Sequence, residues 1–185
     1  MTAQVGDRLD NDGRLFSVLS HLPIPLSFSE HGLRPTMAST ACYRGYFCHY
    51  AITEGQVYLE DLYVYTGEGE EGYPAVCGRL PERDRHKGGL MRYMGCAVYR
   101  GLHLPSLFTG TVTLGDGFLT EFYIHAGIQR PHSFTYLYDY RLERGRIVEI
   151  TDRSAEGEAE RKRLRDEREA LLRAWEAAHK RRKGT

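Results

Sequence analysis

Alternating apolar and polar positions dominate the chain up to residue 153 and predict β-strands. Residues 40–53 and 56–66 are rich in tyrosine and other strand-favouring side chains. The Glu-Gly pair between them is typical of a turn, so we expect a hairpin. A second hairpin is expected over residues 5–20, where residues 10–13 read Asp-Asn-Asp-Gly and favour a turn.

The clearest alternation lies further along the chain and predicts four antiparallel strands with short connections. They cover residues 106–114, 118–126, 134–143 and 146–150, with a Gly-Asp-Gly turn at 115–117 and a further strand expected over residues 91–99. Glycine-rich and charged stretches at 67–72 and 73–89 predict exposed loops. The fold class expected is mainly β (α+β), an antiparallel twisted sheet or partly closed barrel of about eight strands with one C-terminal helix.

Charge replaces alternation after residue 153, and Ser154–Lys183 is predicted to form one long helix. Ser154 is a favourable N-cap residue, although Gly157 weakens the first turn. A narrow apolar stripe includes Leu171 and Trp175, so we expect residues 171–178 to dock on the sheet or on a partner and the first two turns to face solvent. The chain is thus divided into a β-rich domain, 1–153, and a charged helix with a basic tail, 154–185.

Charge and cysteine content narrow the function classes. The 185 residues carry no formal net charge, but residues 154–185 hold ten Lys/Arg and seven Asp/Glu, which leaves the β-rich domain slightly acidic. A nucleic acid would therefore be expected to contact the tail, at Lys180, Arg181, Arg182 and Lys183. The four cysteines form no Cys-x-x-Cys pair, which indicates no zinc site.

The apolar runs are too short to span a membrane, and no secretory signal is visible. We therefore expect a cytoplasmic protein with reduced thiols, no membrane association and no cofactor.

Candidate catalytic residues lie around one predicted loop. His125 and His132 flank it, and with Glu121 or Asp139 they could form a metal or acid/base cluster, since histidine is the usual general acid/base. A structural role is the simpler interpretation. Cys42 and His49 could suggest a nucleophile pair, but a spacing of seven in one predicted strand puts the two side chains on opposite faces. Cys42 is interpreted as a buried structural thiol.

Candidate binding residues centre on a repeated Tyr-Arg-Gly tripeptide, at 43–45 and 99–101. An arginine within an aromatic strand needs an acidic, stacking or solvent partner, so Arg44 and Arg100 are candidates for anion binding or for a structural ion pair. For Arg44 the structural partner is expected to be Glu60 or Asp61. Tyr43 and Tyr46 are the neighbouring aromatic residues that could contact a ligand or a protein.

Three short motifs support a family resemblance. Residues 39–46 read Ser-Thr-Ala-Cys-Tyr-Arg-Gly-Tyr, residues 58–62 read Tyr-Leu-Glu-Asp-Leu, and residues 107–110 read Leu-Phe-Thr-Gly. In this order they resemble an Arg-Gly-Tyr strand, a Leu-Tyr-Leu-like strand and a Phe-x-Gly strand of a family of uncharacterised bacterial β-rich proteins. The likeness covers about residues 6–150 and excludes the helix. It implies a bacterial β-rich domain and no particular chemistry.

The leading functional hypothesis is a non-enzymatic binding or accessory protein that engages a protein partner, or a second copy, through the β body and the helix. Leu171 and Trp175 are its expected contacts. One alternative is a small enzyme with a His/Arg/Glu site on the sheet loops. The other is a nucleic-acid-binding protein that uses the basic tail.

Overall fold

The computed structural model describes residues 2–67, 72–82 and 96–183, and these form nine strands and one long helix. The strands are β1 Arg8–Asn11, β2 Arg14–Val18, β3 Tyr46–Thr53, β4 Gln56–Val64, β5 Ala97–Tyr99, β6 Leu104–Pro105, β7 Gly110–Phe118, β8 Phe134–Glu143 and β9 Arg146–Asp152. The helix α1 is Ser154–Lys183, and short 3₁₀ helices cover Ser29–His31, Thr120–Phe122 and Pro131–Ser133.

Seven of the strands close into a barrel, in the order β3-β1-β2-β7-β8-β9-β4, with β4 pairing again with β3. β5 and β6 lie outside this ring and pair with β4. Among the nine strands named above, the pairings are antiparallel except that of β1 with β3, where Arg8 lies opposite His49. The expected mainly β, barrel-like fold with one C-terminal helix is confirmed, and the ring is fully closed.

Local turn chemistry explains the first hairpin. Asp12 and Gly13 adopt positive φ angles of 53° and 80°, and the Gly13 amide donates to the Asp10 carboxylate at 2.9 Å. These conformations suit a two-residue turn whose twist matches that of the flanking strands. The Asp-Asn-Asp-Gly sequence therefore forms the β1–β2 connection predicted from it.

Apolar side chains from all seven strands fill the barrel. Its largest fully buried members include Tyr50, Leu9, Leu59 and Leu114. A second, smaller cluster packs Cys42, Phe47, Tyr63 and Val98 together. Cys42 is 1% exposed, as the structural interpretation of this thiol requires, but it precedes β3 and does not share a strand with His49.

Two predicted elements of the antiparallel region are wrong. Residues 118–126 do not form a strand beyond Phe118, because the chain turns into the 3₁₀ helix Thr120–Phe122 and a loop. Residues 115–117 do not form a turn but lie within β7, where the Phe134 ring lies over Gly115 and would be only 2.6 Å from a Cβ there. The region is therefore a three-stranded meander, β7-β8-β9, with β2 on its other side.

Other predictions fall partly outside the described residues. These are the loops at 68–71 and 83–89, the first part of the strand expected over 91–99, and the side chains of Lys180 to Lys183. In the described part, residues 72–75 and Gly78 are irregular, and the strand near residue 99 is confirmed as β5.

Candidate functional site

The first turns of α1 are fixed to the barrel. Ser154 does not cap its own helix. Its hydroxyl instead accepts a hydrogen bond from the Leu137 amide of β8 at 3.1 Å. Arg153 donates to Asp139 of β8 and to Glu156 of the helix, each at 3.0 Å. Charge-assisted bonds on both sides of the junction therefore set the direction in which the helix leaves the barrel.

Gly157 and Arg161 continue this contact. Gly157 is buried, and a Cβ there would lie 2.7 Å from the Leu137 side chain, so the glycine that lowers helix propensity permits close packing on β8. Arg161 is only 6% exposed and donates to the Phe134 carbonyl at 2.5 Å. Arg165 pairs with Glu121. The expectation that the first two turns face solvent is wrong.

The distal half of α1 has a different environment. Its described side chains beyond Leu164 are all exposed, with Leu171 at 72%, Leu172 at 54% and Trp175 at 59%. Among the described aromatic rings, the Trp175 ring contacts that of His179 on the same helix, at 3.9 Å between centroids. Residues 171–178 therefore do not dock on the sheet, which was one of the two expected alternatives.

One stripe connects the two halves of the helix. Gly157, Leu164, Leu171 and Ala178 recur at intervals of seven, and Trp175 lies one turn beyond Leu171. The face that packs on the barrel at Gly157 thus continues, exposed, along the distal turns.

Arg44 lies at the end of the barrel where β1 and β3 begin, with its side chain 39% exposed but its main partner buried. Its guanidinium pairs with Asp7, whose side chain is 8% exposed, and its Nε donates to the Tyr46 carbonyl at 2.9 Å. The Asp7 Oδ1 atom also accepts the Cys48 amide at 2.7 Å. Arg44 Cζ lies 4.7 Å from the centre of the Tyr46 ring, within cation–π range.

The partner expected for Arg44 was wrong, because Glu60 and Asp61 bind elsewhere. Glu60 contacts His103 at 2.7 Å, and Asp61 accepts from Arg100 at 2.9 Å. The parallel pairing of β1 with β3 brings Asp7 to Arg44 across 37 positions of sequence. No periodic signal in the sequence marks Asp7, since it lies just before a short strand.

Burial sets the proton chemistry around Arg44 and Asp7. It raises the pKa of the Cys42 and Cys48 thiols and of the Tyr46 phenol above their ordinary values. A thiol with a raised pKa is a poor nucleophile near neutral pH. Cys42 and Cys48 therefore have the environment of structural cysteines.

The second Tyr-Arg-Gly tripeptide differs from the first. Tyr43 is 53% exposed, whereas its counterpart Tyr99 is fully buried. Arg100 bonds Asp61, Glu82 at 3.0 Å and the Tyr63 hydroxyl at 3.2 Å. Both arginines thus have carboxylate partners, but Arg44 precedes β3 whereas Arg100 follows β5.

Each catalytic candidate contacts a different residue. The Glu121 carboxylate is bound by Arg165, the His132 ring contacts Phe122 edge-on at 5.7 Å, and His125 contacts Tyr123 at 4.8 Å. Burial lowers the pKa of His132. Across the residues that the structure describes, no three His, Cys, Asp or Glu side chains are grouped to hold a metal ion.

Comparison with known proteins adds no relative. No protein-family model, curated protein or solved structure matches this chain. The resemblance to a bacterial β-rich family therefore stays a prediction. Among the described helices, none combines the length and apolar character that crossing a membrane requires.

Proposed function

We propose that this protein is a non-enzymatic binding protein that associates with a second copy of itself through the distal half of α1. The observation that carries the proposal is the exposure of Leu171, Leu172 and Trp175 on a helix whose first turns are fixed to a closed barrel. The barrel is the scaffold, and the helix is the element that makes contact.

The exposed face has the geometry of a helix–helix contact. Leu171, Ala174, Trp175 and Ala178 occupy positions i, i+3, i+4 and i+7, which lie on one side of the helix. The small alanines let a second helix approach to the usual distance of about 8–10 Å between axes. Thirty residues make a rod of about 45 Å, so the face is held well clear of the barrel.

Charge favours an antiparallel pair of identical helices. Residues 154–169 hold six Asp/Glu and five Lys/Arg, whereas residues 170–183 hold one Glu and five Lys/Arg. Antiparallel packing centred near Leu171 sets the basic end of each helix beside the more acidic half of the other. A parallel pair would instead bring the two basic ends together.

The contact is expected to be weak. The apolar face covers about two helical turns, far short of the three to four heptads that sustain a coiled coil. Arg168 interrupts the stripe between Leu164 and Leu171. A dissociation constant of about 1–100 μM fits a contact of this size.

Sedimentation equilibrium over a wide concentration range tests the proposal. We expect a reversible monomer–dimer equilibrium that the Leu171→Glu/Trp175→Glu variant abolishes. Leu80→Glu, at a residue 75% exposed on the body, is the matched control and should dimerise normally. Arg168→Leu fills the gap in the stripe and should tighten dimerisation about tenfold, by the burial of one leucine. A wild-type protein that stays monomeric at millimolar concentration contradicts the proposal.

Association assays also separate the other occupants. If the wild type retains a different protein and Leu171→Glu/Trp175→Glu does not, that protein is the partner in place of a second copy. If the chain retains nucleic acid, with an affinity that falls steeply with salt, the function is nucleic-acid binding through the basic tail.

The setting that we propose is the cytoplasm of a bacterium. All four cysteines are unpaired, which a reducing compartment favours.

A further inference from the structure

A groove opens on the barrel surface beside Asp7, away from α1's distal half. Its walls are the N-terminal segment 3–8, the end of β2 and the loop that follows β7, and its volume is about 410 Å³. A neighbouring hollow of about 260 Å³ extends it towards Arg44 and shares Asp7, Val18, Leu19 and Ile128 with it. Both volumes are close to the range of small-molecule sites, about 300–1,000 Å³.

The groove is held in shape by hydrogen bonds to its backbone, from other backbone groups and from one side chain. The Gln4 amide donates to the Gly127 carbonyl at 2.8 Å, which ties the N-terminal segment to the loop. Within the loop, the Gln129 side chain accepts from the Ile124 amide at 3.0 Å and donates to the Ile124 carbonyl at 2.9 Å. A site formed in this way needs little reordering when a ligand enters.

The rim of the groove is apolar and aromatic. Phe118 and Tyr123 are each 42% exposed and Ile128 is 46% exposed, and all three line it. The Phe118 and Tyr123 rings meet edge-on at 6.4 Å. A flat apolar molecule would cover surface that is now exposed to water.

Asp7, in the lining of the groove, supplies an unused acceptor. Both of its hydrogen bonds, from Arg44 and from the Cys48 amide, end on Oδ1, and Oδ2 makes none with any described residue. No described side chain leaves a fully enclosed polar atom without a partner, so Oδ2 must have some access, and Asp7 lines both hollows. Because the Asp7 side chain as a whole is only 8% exposed, its carboxylate gains strongly from one added donor.

We propose that this groove binds a flat, uncharged aromatic molecule with one N–H or O–H donor. The donor of the ligand bonds to Asp7 Oδ2, and its ring covers Phe118, Tyr123 and Ile128. The guanidinium of Arg44 beside Asp7 disfavours a ligand cation, and the Asp7 carboxylate disfavours a ligand anion. A neutral donor meets neither repulsion.

Indole and 1-methylindole are the probes that test this, since they share a ring system and differ in the single N–H. Backbone amide shifts of the ¹⁵N-labelled full chain report both the affinity and the place of binding. We expect indole to shift the amides of residues 3–8 and 118–129 and to bind at least about tenfold more tightly than 1-methylindole. Equal affinities, shifts centred elsewhere, or no shift at several millimolar would overturn the proposal.

Two variants separate the ring contact from the anchor. Tyr123→Ala removes apolar surface at the rim and should lower the affinity for both probes to the same degree. Leu107→Ala, at a residue 66% exposed elsewhere on the body, is its control and should change neither affinity. Asp7→Asn should remove the preference for indole. If Asp7→Asn does not fold, the two wild-type affinities together with Tyr123→Ala still decide the question.

Discussion

The Arg161 guanidinium donates to the backbone carbonyl of Phe134, and its side chain is almost completely buried. The bond joins the second turn of α1 to the first residue of β8. It follows that the helix start belongs to the folded barrel, and that a cut after residue 153 would uncover the surface of β8 beside Leu137. The boundary between residues 153 and 154 marks a change in the sequence pattern, but the first turns of α1 on its far side pack with the barrel.

Replacing Arg161 with leucine should lower the free energy of unfolding by about 2 kcal/mol, because a buried carbonyl loses a charged donor. Arg168→Leu, at the same face of the helix but exposed, should change it by no more than about 0.5 kcal/mol. Urea denaturation at low protein concentration, where association does not contribute, makes the comparison. Equal effects of the two substitutions would show that the Arg161 contact is not formed.

The two Tyr-Arg-Gly tripeptides offer a matched pair of glycines. Gly45 and Gly101 both have positive φ angles, 73° and 61°, but a Cβ on Gly45 would lie 2.1 Å from the Thr36 carbonyl oxygen, whereas Gly101 faces open space. Gly101→Ala should cost about 1–2 kcal/mol for the left-handed backbone. Gly45→Ala should cost about 1–3 kcal/mol more, because backbone atoms must move. Thermal unfolding of both variants checks the order, and a milder effect at Gly45 would contradict the described turn.

Arg44→Gln should destabilise the fold by about 2 kcal/mol, since it leaves the buried Asp7 carboxylate with only the Cys48 amide. Arg14→Gln is the control, because Arg14 and Asp116 form an exposed pair at 2.8 Å and such pairs contribute about 0–1 kcal/mol. Urea denaturation of both variants gives the difference. A negligible cost at Arg44 would mean that the Asp7 carboxylate finds another donor.

Thiol labelling should single out Cys77. Cys77 is exposed, whereas Cys42 and Cys48 are buried, and burial raises the pKa of the Cys96 thiol to about 12. An aromatic disulfide reagent near neutral pH should therefore modify one thiol rapidly in the native protein and all four after denaturation. Cys77→Ser should abolish the rapid phase, and its persistence in that variant would place another thiol at the surface.

Acidification should destabilise the protein partly through His49. Burial lowers the pKa of His49, with Asp61 at 4.0 Å opposing the effect, so the unfolded chain takes up the proton first. The neutral ring contributes its full stability above the unfolded pKa of about 6.5, and this contribution is lost as the pH falls below it. Between about pH 7 and pH 5, His49→Gln should lose less stability than the wild type. An identical pH dependence would exclude His49 as a source.

Strand pairing within hairpins could be predicted from the sequence because neighbouring segments carry their own turn signals, as the Asp12-Gly13 turn shows. Residues 118–126 do not form the predicted strand for a physical reason. Their alternation is real, but the Gln129 side chain bonds to both backbone groups of Ile124 and takes the place of a neighbouring strand. No periodicity in the sequence reveals that a side-chain amide replaces a strand in this way.

Contacts between distant segments could not be predicted. The pairing of Asp7 with Arg44 depends on the parallel register of β1 and β3. The hydrophobic pattern of strands as short as β1 is not enough to predict that register. The docked end of the helix was misjudged because a glycine and an arginine, Gly157 and Arg161, form its buried face. Apolar content instead predicts that the opposite end of the helix docks, where Leu171 and Trp175 are exposed.

The single pairing of Gln56 with Arg146 that joins β4 to β9 is the seam of the ring. A chain emerging from the ribosome has β1 to β8 before it has β9. β5 and β6 already pair with β4, but the Gln56 end of β4 and the outer edge of β8 have no final neighbour until β9 is made. Through most of synthesis the nascent protein is therefore an open sheet with edges able to pair with other chains, and the last strand removes that hazard.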